Sequence, residues 1–241
     1  MKNILDGIIE IIYPEQERCA FCRLSGANVN KFGLCRYCTA SLSFLSGSVC
    51  RKCGRPVEDE RESLCPECKD GRTDFDGGLS VFEFTGIVKD MLHSLKYGGN
   101  TEIAHSLGKF MALRLMKKGW KIDMIMPVPL YPDKIRQRGY NQSYLISAEI
   151  GHECGIRVYD DVLIRKKNTQ SQTTLTKYER MYNVRGAFDT VRNKIIYRRA
   201  ILVVDDVMTT GATLNECSRV LKKNGAGKVY CITAACPIFF K

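Results

Sequence analysis

No stretch of this 241-residue chain is long and apolar enough to cross a bilayer, which argues against a membrane-spanning helix as the basis of its function. The opening "MKNILDGIIEIIYPEQERC" carries Ile4, Leu5, Ile8, Ile9, Ile11 and Ile12, yet Asp6, Glu10 and Glu15 interrupt the apolar run and no small-residue cleavage site follows. A secretory leader is therefore not expected. The interrupting residues are acidic rather than basic, so a short amphipathic segment docked on the body fits better than one lying on a membrane, and the expectation is a soluble, cytoplasmic protein. The G-x-x-x-x-G-K-[ST] pattern is missing throughout, which removes a P-loop nucleotide site. Residues 71–241 show no internal repeat, and no low-complexity linker divides the chain. The first 70 residues have no formal net charge.

What those 70 residues have instead is cysteine. Eight of the chain's 12 cysteines form four C-x-x-C pairs: Cys19 with Cys22, Cys35 with Cys38, Cys50 with Cys53, and Cys65 with Cys68. In a reducing compartment such spacing indicates metal ligation rather than disulfides. Two intervening residues let one tight turn aim both sulfurs at one ion, and two turns complete a tetrahedron, so eight ligands predict two closed, structural Zn²⁺ sites. Iron–sulfur ligation and a thioredoxin-like redox pair are the less favoured alternatives. Joining neighbouring pairs leaves 12 and 11 residues between the turns. That closure loses less chain entropy than interleaved pairing. Cys154, Cys217, Cys231 and Cys236 are scattered among apolar positions and read as core.

Charge divides the chain at the same place. The whole basic excess, 27 Lys plus Arg against 16 Asp plus Glu, lies in residues 71–241. Between Arg165 and Arg199 there are ten basic residues against Glu179 and Asp189. Such a run is either a solvated face or a surface for phosphate-bearing ligands, small or polymeric, with Arg165, Lys166 and Lys167 as the candidate nucleic-acid contacts.

In this second part helical and strand patterns alternate. "TGIVKDMLHSLKYGG", "NTEIAHSLGKFMALRLMKKGW", "YNQSYLISAEIGHECG", "LTKYERMYN" and "TGATLNECSRVLKKNG" carry helical periodicity or end signals, while "IDMIMPVPL", "RVYDDVLIRK", "ILVV" and "KVYCITAAC" read as strands. The expected fold is α/β, a parallel sheet flanked by helices over residues 71–241, preceded by a zinc-binding unit over 1–70, with "CKDGRTDFDGG" as the boundary.

The stretch "ILVVDDVMTTGAT" concentrates the chemistry. Four aliphatics with no polar alternation form a strand buried on both faces, and at its carboxyl end Asp205 and Asp206 enter the crevice where open α/β sheets bind ligands. Thr209, Thr210, Gly211, Ala212 and Thr213 lead into the next helix, where backbone N–H groups and hydroxyls cradle a phosphate. The two acids suit the hydroxyls of a ribose beside it. Together they describe a ribose 5-phosphate site. In "MPVPLYPDKIRQRGYNQS", Arg136, Arg138 and Gly139 occupy what reads as a loop before a helix that starts at Asn141, Gln142 and Ser143, a second concentration of anion-binding groups.

The run of two acids followed by Thr-Thr-Gly-x-Thr resembles the signature of type I phosphoribosyltransferases. With the paired zinc knuckles, "LKYGG" at 95–99, "PVPL", "RQRGYNQS", "TQSQTTL" at 169–175 and "NVRGAF" at 183–188, the chain resembles the ComF family of competence-associated, phosphoribosyltransferase-like proteins over nearly its whole length; Tyr140 stands where phenylalanine is common. The resemblance implies a type I phosphoribosyltransferase core capped by a zinc-binding domain. It implies a cytoplasmic role in uptake of single-stranded DNA during natural transformation, beside a membrane-associated competence helicase. It also implies that Arg136, Arg138 and Gly139 hold the pyrophosphate of phosphoribosyl pyrophosphate. Two functional classes follow. One is a transferase, using Mg²⁺ and the arginines on the departing pyrophosphate and Asp205 and Asp206 on the ribose as catalytic groups, with an unidentified nucleobase or amine as acceptor. The other, which is favoured, is a binding module that keeps the ligand site and uses its knuckles and basic zone for single-stranded DNA or protein partners. A glutamine-dependent amidotransferase is not expected, because Lys2 and not a cysteine follows Met1.

Overall fold

The computed structural model describes residues 18–25, 28–59, 61–71, 73–168 and 183–238. The expected helix within "LTKYERMYN", the "TQSQTTL" motif and the amphipathic opening segment lie almost wholly outside these. Four parallel strands form the central sheet in the order β1–β6–β5–β2, with β1 at Gly77–Glu83, β2 at Met124–Pro127, β5 at Ala200–Val207 and β6 at Lys228–Cys236. Helices α3 (Gly86–Tyr97), α4 (Glu102–Lys118), α6 (Gln142–Cys154) and α7 (Ala212–Lys223) flank it. The intervening α5 (Pro132–Arg138) is a short helix on the rim. Two more short helices, α1 (Arg36–Ala40) and α2 (Pro66–Lys69), belong to the cysteine-rich part.

Why β5 lacks polar alternation is visible in its packing. Leu202 and Val204 join Ile232 and Ala234 of β6 against Leu107 and Met111 of α4 and Ile146 and Ile150 of α6. Ile201 and Val203 face the other way, with Val229 and Cys231, onto Leu214, Cys217 and Leu221 of α7. Ile201, Leu202, Val203 and Val204 are fully buried. A strand sandwiched between helical layers needs apolar residues on both faces.

Three expectations change. Gly77 and Gly78, which close the boundary stretch read in sequence, instead open the buried strand β1, whose other residues the sequence reading leaves unassigned. Arg136 and Arg138 sit on the helix α5 and not in a loop, because Pro132 at its first turn and Gly139 at its end (φ 86°) frame a seven-residue helix. "RVYDDVLIRK" is split: Val158 bridges in parallel to Ile125 at the sheet's outer side, whereas β3 (Leu163–Arg165) leaves the sheet and pairs antiparallel with β4 (Phe188–Thr190).

The cysteine-rich part is not a separate bead. Phe32 stacks on Phe110 of α4 with ring centroids 3.8 Å apart. Residues 43–45 run antiparallel along the outer side of β1, with Leu45 N–H donating to the Val81 carbonyl (2.9 Å) and Glu83 N–H to the Ser43 carbonyl (2.8 Å). Further along, Gly78 N–H donates to the Lys52 carbonyl (2.6 Å). Two glycines allow this approach: a Cβ on Gly78 would lie 2.6 Å from the Cys53 carbonyl oxygen, and one on Gly54 would lie 2.6 Å from that of Gly78.

Candidate functional site

The eight paired cysteines gather into two groups, Cys19, Cys22, Cys35 and Cys38, and Cys50, Cys53, Cys65 and Cys68, with the sulfurs of each group within 4.8 Å of one another. This is the adjacent pairing that loop-closure entropy favours. Four thiolates around Zn²⁺ at about 2.3 Å stand about 3.8 Å apart. The Cys22–Cys35 and Cys53–Cys65 sulfurs are 3.8 and 3.6 Å apart, so the donor sets fit that ion. Around the second group, Arg55 donates to the sulfurs of Cys53 (3.5 Å) and Cys65 (3.3 Å) and pairs with Glu67 at 2.8 Å. A buried guanidinium here offsets the excess negative charge of four thiolates on a divalent ion, the usual task of groups surrounding a metal's ligands.

At the carboxyl ends of β2 and β5 opens a cleft of about 830 Å³. Its acidic centre is the end of β5, where Asp206 is buried and Asp205 partly so. Lys96, at the end of α3, pairs with Asp206 Oδ2 while Gln142 Nε2 donates to Asp206 Oδ1 at 3.4 Å. Arg138 in turn donates to Gln142 Oε1, and the Tyr140 hydroxyl donates to the Leu95 carbonyl, fixing the end of α3 that carries Lys96. Ser143 Oγ donates to Asp205 Oδ1 at 2.9 Å. Burial and then the adjacent Asp206 push the Asp205 carboxyl up to about 7. Burial acts the same way on Asp206, but Lys96 outweighs it and holds that carboxyl below its ordinary value. Burial disfavours the Lys96 ammonium, yet Asp206 more than compensates and its pKa is raised. Two carboxylates a residue apart are thus driven in opposite directions by where one lysine sits.

The same cleft is lined by a cluster of cations. Lys134 and Arg138, one turn apart on α5, line the cleft together with Arg165 from the end of β3. The Arg138 guanidinium also lies over the Tyr97 ring, 5.4 Å from its centroid. Burial, then Arg165 and Arg138, lowers the Lys134 pKa. Burial likewise lowers that of Arg165. A lysine that two neighbouring guanidinium groups depress is relieved by an anion placed between them.

The residues predicted from sequence divide by place. Asp205, Asp206, Thr209, Thr213 and Arg138 line the cleft. Gly211 takes φ 79° as the residue preceding α7, a left-handed turn suited to glycine, and Ala212 N–H donates to Thr210 Oγ1 at 3.3 Å. Arg136 is turned outward, exposed and paired with Asp133, while Gly139 serves as the end of α5. The N-terminus of α6 is capped by its own Asn141, whose side chain accepts from Ser143 N–H at 3.0 Å, so it is not an open anion site. Arg165 stands in the cleft, apart from Lys166, which pairs with Asp189, and from Lys167, which is exposed. Sequence reasoning misses Lys96, Lys134, Gln142 and Ser143 as ligand-site side chains. Lys96 and Gln142 stand inside the motifs "LKYGG" and "RQRGYNQS", but their convergence is a property of the fold.

Residues 99–238 match the family described as "Phosphoribosyl transferase domain", and residues 8–69 match "Double zinc ribbon domain". The core therefore has the type I phosphoribosyltransferase-like fold, preceded by a double zinc ribbon. Competence protein F of Haemophilus influenzae is 30% identical over 219 residues, covering 88% of this chain and 93% of its own. Competence protein ComFC of Bacillus subtilis is 30% identical over 199 residues, covering 80% and 79%. DNA utilization protein YhgH of Escherichia coli K12 is 27% identical over 222 residues, covering 89% and 95%. The chain belongs to the ComF family. Among the described residues no helix is long and apolar enough to cross a membrane.

Proposed function

We propose that this is a ComF-type competence protein that assists the uptake and handling of single-stranded DNA in the cytoplasm, and that its cleft holds phosphoribosyl pyrophosphate or a related ribose phosphate. The observation that carries the ligand reading is the cleft's lining. It brings a carboxylate pair, Thr209 and Thr213 together with Lys134, Arg138 and Arg165, as a ligand with both vicinal hydroxyls and several phosphates requires. Mg²⁺ would enter with the phosphates of that ligand and supply charge neutralisation. The competence role rests on the relatives, and a competence helicase is the partner it implies.

Arg165 belongs to the ligand in this reading. A nucleic-acid surface would then use Lys166 and Lys167, or the zinc ribbon, where the Arg36 guanidinium lies 4.6 Å from the ring centroid of exposed Tyr37. A second reading, an active phosphoribosyltransferase, is favoured by the aromatic lining of the cleft by Phe84, Tyr97 and Tyr140, which offers a face to a planar acceptor. In it the bond from the anomeric carbon to pyrophosphate breaks as a bond to the acceptor's nitrogen forms, and the nitrogen gives up its proton.

Calorimetric titration with phosphoribosyl pyrophosphate and Mg²⁺, followed by a product search with candidate bases, tests both. Saturable binding that weakens in Arg138→Ala is expected. No binding would overturn the ligand reading, and release of pyrophosphate with a base would establish the transferase.

A further inference from the structure

Tyr97 and Gly99, which line the cleft, belong to the connection between α3 and α4. Gly98 and Gly99 (φ 67°) make up half of the four residues between those helices. Adjacent glycines have the most backbone freedom to lose, so a cleft wall built on them is loose unless its end is fixed. Asn100 fixes it. This residue is buried and does not itself line the cleft. Its amide reaches across to the knuckle of Cys19 and Cys22: Nδ2 donates to the Ala20 carbonyl at 2.7 Å, and Oδ1 accepts from the Arg23 guanidinium at 2.9 Å. The same guanidinium pairs at 2.6 Å with Glu102, in the first turn of α4. Arg23 is placed by the knuckle in turn. Its N–H donates to the Cys19 carbonyl at 3.0 Å, and its φ of 61° lies in the left-handed region that residues with a side chain seldom adopt.

We infer that the first zinc knuckle sets the shape of the ligand cleft, with Asn100 and Arg23 as the positioning residues that carry its order to the turn at residues 97–101. This rests on the ribose-phosphate reading of the cleft and adds a coupling between metal and ligand. An exposed ion pair such as Arg23–Glu102 contributes little alone. The buried amide gives the coupling its strength, because its loss takes the donor from the carbonyl of Ala20, itself buried. A turn ordered beforehand spares the ligand the cost of ordering it. Such coupling is reciprocal: the factor by which the metal-bound knuckle tightens the ligand is the factor by which bound ligand tightens that metal. The second cysteine group stands outside it. That group meets the sheet through Lys52 and Gly78 at the start of β1, whereas the cleft residue Phe84 follows the strand's end.

The test uses the full-length zinc-loaded protein, with phosphoribosyl pyrophosphate and Mg²⁺ as the probe. Asn100→Asp keeps the shape and the Arg23 contact but cannot donate to the Ala20 carbonyl. It should weaken the probe by about 5- to 30-fold, within the range usual for coupled sites. Arg23→Gly removes the guanidinium at a position whose backbone suits glycine, so it should leave the zinc content unchanged while weakening the probe. Zinc transfer to a chromophoric chelator reads what a merely structural role would not move. Saturating probe should slow release of the ion at the first group, identified as the phase missing in Cys22→Ser, and leave the other phase alone. In Asn100→Asp that slowing should vanish. Amide hydrogen exchange needs no ligand: the Gly98 and Thr101 N–H groups, bonded to the Ser94 and Gly99 carbonyls at 2.8 and 3.0 Å, should exchange faster in Asn100→Asp and in Cys22→Ser, with β5 unchanged. Unchanged probe affinity, undiminished slowing or unaltered exchange in Asn100→Asp would overturn the coupling while leaving the cleft a ribose-phosphate site. Failure of the unaltered protein to bind the probe would overturn that reading instead, and exchange would still decide whether the knuckle orders the turn.

Discussion

At the scale of single residues, the cleft shows how one lysine sorts two neighbouring carboxyls. The Asp205 carboxyl is pushed up to about 7, above the unfolded value, by burial and by Asp206. The folded protein then holds a proton on it between about pH 4 and pH 7 that the unfolded chain has lost, so stability falls as pH rises through that window. Asp205→Asn removes this titration. Relative to the unaltered protein it should gain stability on going from pH 5 to pH 8, by about 1–3 kcal/mol, since a tenfold difference in proton affinity between folded and unfolded chains corresponds to about 1.4 kcal/mol. Denaturant midpoints of both proteins at the two pH values measure this, with Asp76 cancelling because both proteins keep it in the same surroundings. A difference that does not move with pH would show that Asp205 is charged in the folded state throughout. Arg165 carries the second residue-scale lesson. In sequence it heads a basic triplet, yet the antiparallel β3–β4 pair turns it into the cleft while Asp189 takes Lys166.

Among the elements, those with one dominant signal are legible in the sequence and those made by context are not. β6 coincides with "KVYCITAAC", and α6 spans "QSYLISAEIGHEC" between its Asn141 cap and Gly155 at φ 66°. β1 escapes sequence reading because its glycines, Gly77 and Gly78, look like a linker. They are glycines because Trp120 and Cys53 press on them: a Cβ would stand 2.7 Å from a Trp120 ring carbon at the first and 2.6 Å from the Cys53 oxygen at the second. The helix α5 is hidden by Pro132 and by its brevity, and with it the fact that Lys134 and Arg138, not Arg136, share the inward face. Of the candidate site, the acids and the threonine loop are visible as a contiguous run, whereas Lys96, Gln142, Ser143 and Arg165 come from separate elements that only the folded chain assembles. The close approach at Gly78 is directly testable. Gly78→Ala should cost about 1–3 kcal/mol by overpacking and speed loss of metal from the Cys50–Cys68 group, read by thermal unfolding and by transfer of zinc to a chromophoric chelator. Unchanged stability and transfer rate would mean the ribbon can back away from β1 freely.

For the molecule as a whole, the distribution of charge separates the surfaces proposed for two ligands that the sequence places together. If Lys166 and Lys167 touch the backbone of single-stranded DNA, replacing both by alanine should weaken an oligonucleotide of any base sequence. It should also flatten the slope of log affinity against log salt by about 0.7 for each phosphate that is no longer neutralised. Phosphoribosyl pyrophosphate binding should be nearly unaffected, while Arg165→Ala should do the reverse. Filter binding across a salt series, with calorimetry for the small ligand, distinguishes them. An unchanged salt slope in the lysine variant would leave the zinc ribbon as the DNA surface.

The run of residues 43–45 beside β1 bears on more than local packing. β1 is the last strand on its side of the sheet, and the Ser43, Leu45 and Lys52 backbone groups occupy hydrogen-bonding positions along its free side. Those residues belong to a segment that the two cysteine groups would hold in order once they bind metal. Elemental analysis should find about two zinc ions per chain, and with them bound the ribbon would shield this edge. Stripped of metal, the chain would bare an unpaired strand edge to other copies of itself, and such edges template self-association. Metal-free protein, with its thiols kept reduced, should scatter light progressively at concentrations where the zinc-loaded form stays clear, and early return of zinc should arrest the process. A metal-free protein that remains monodisperse would show that the ribbon stays on β1 without its ions.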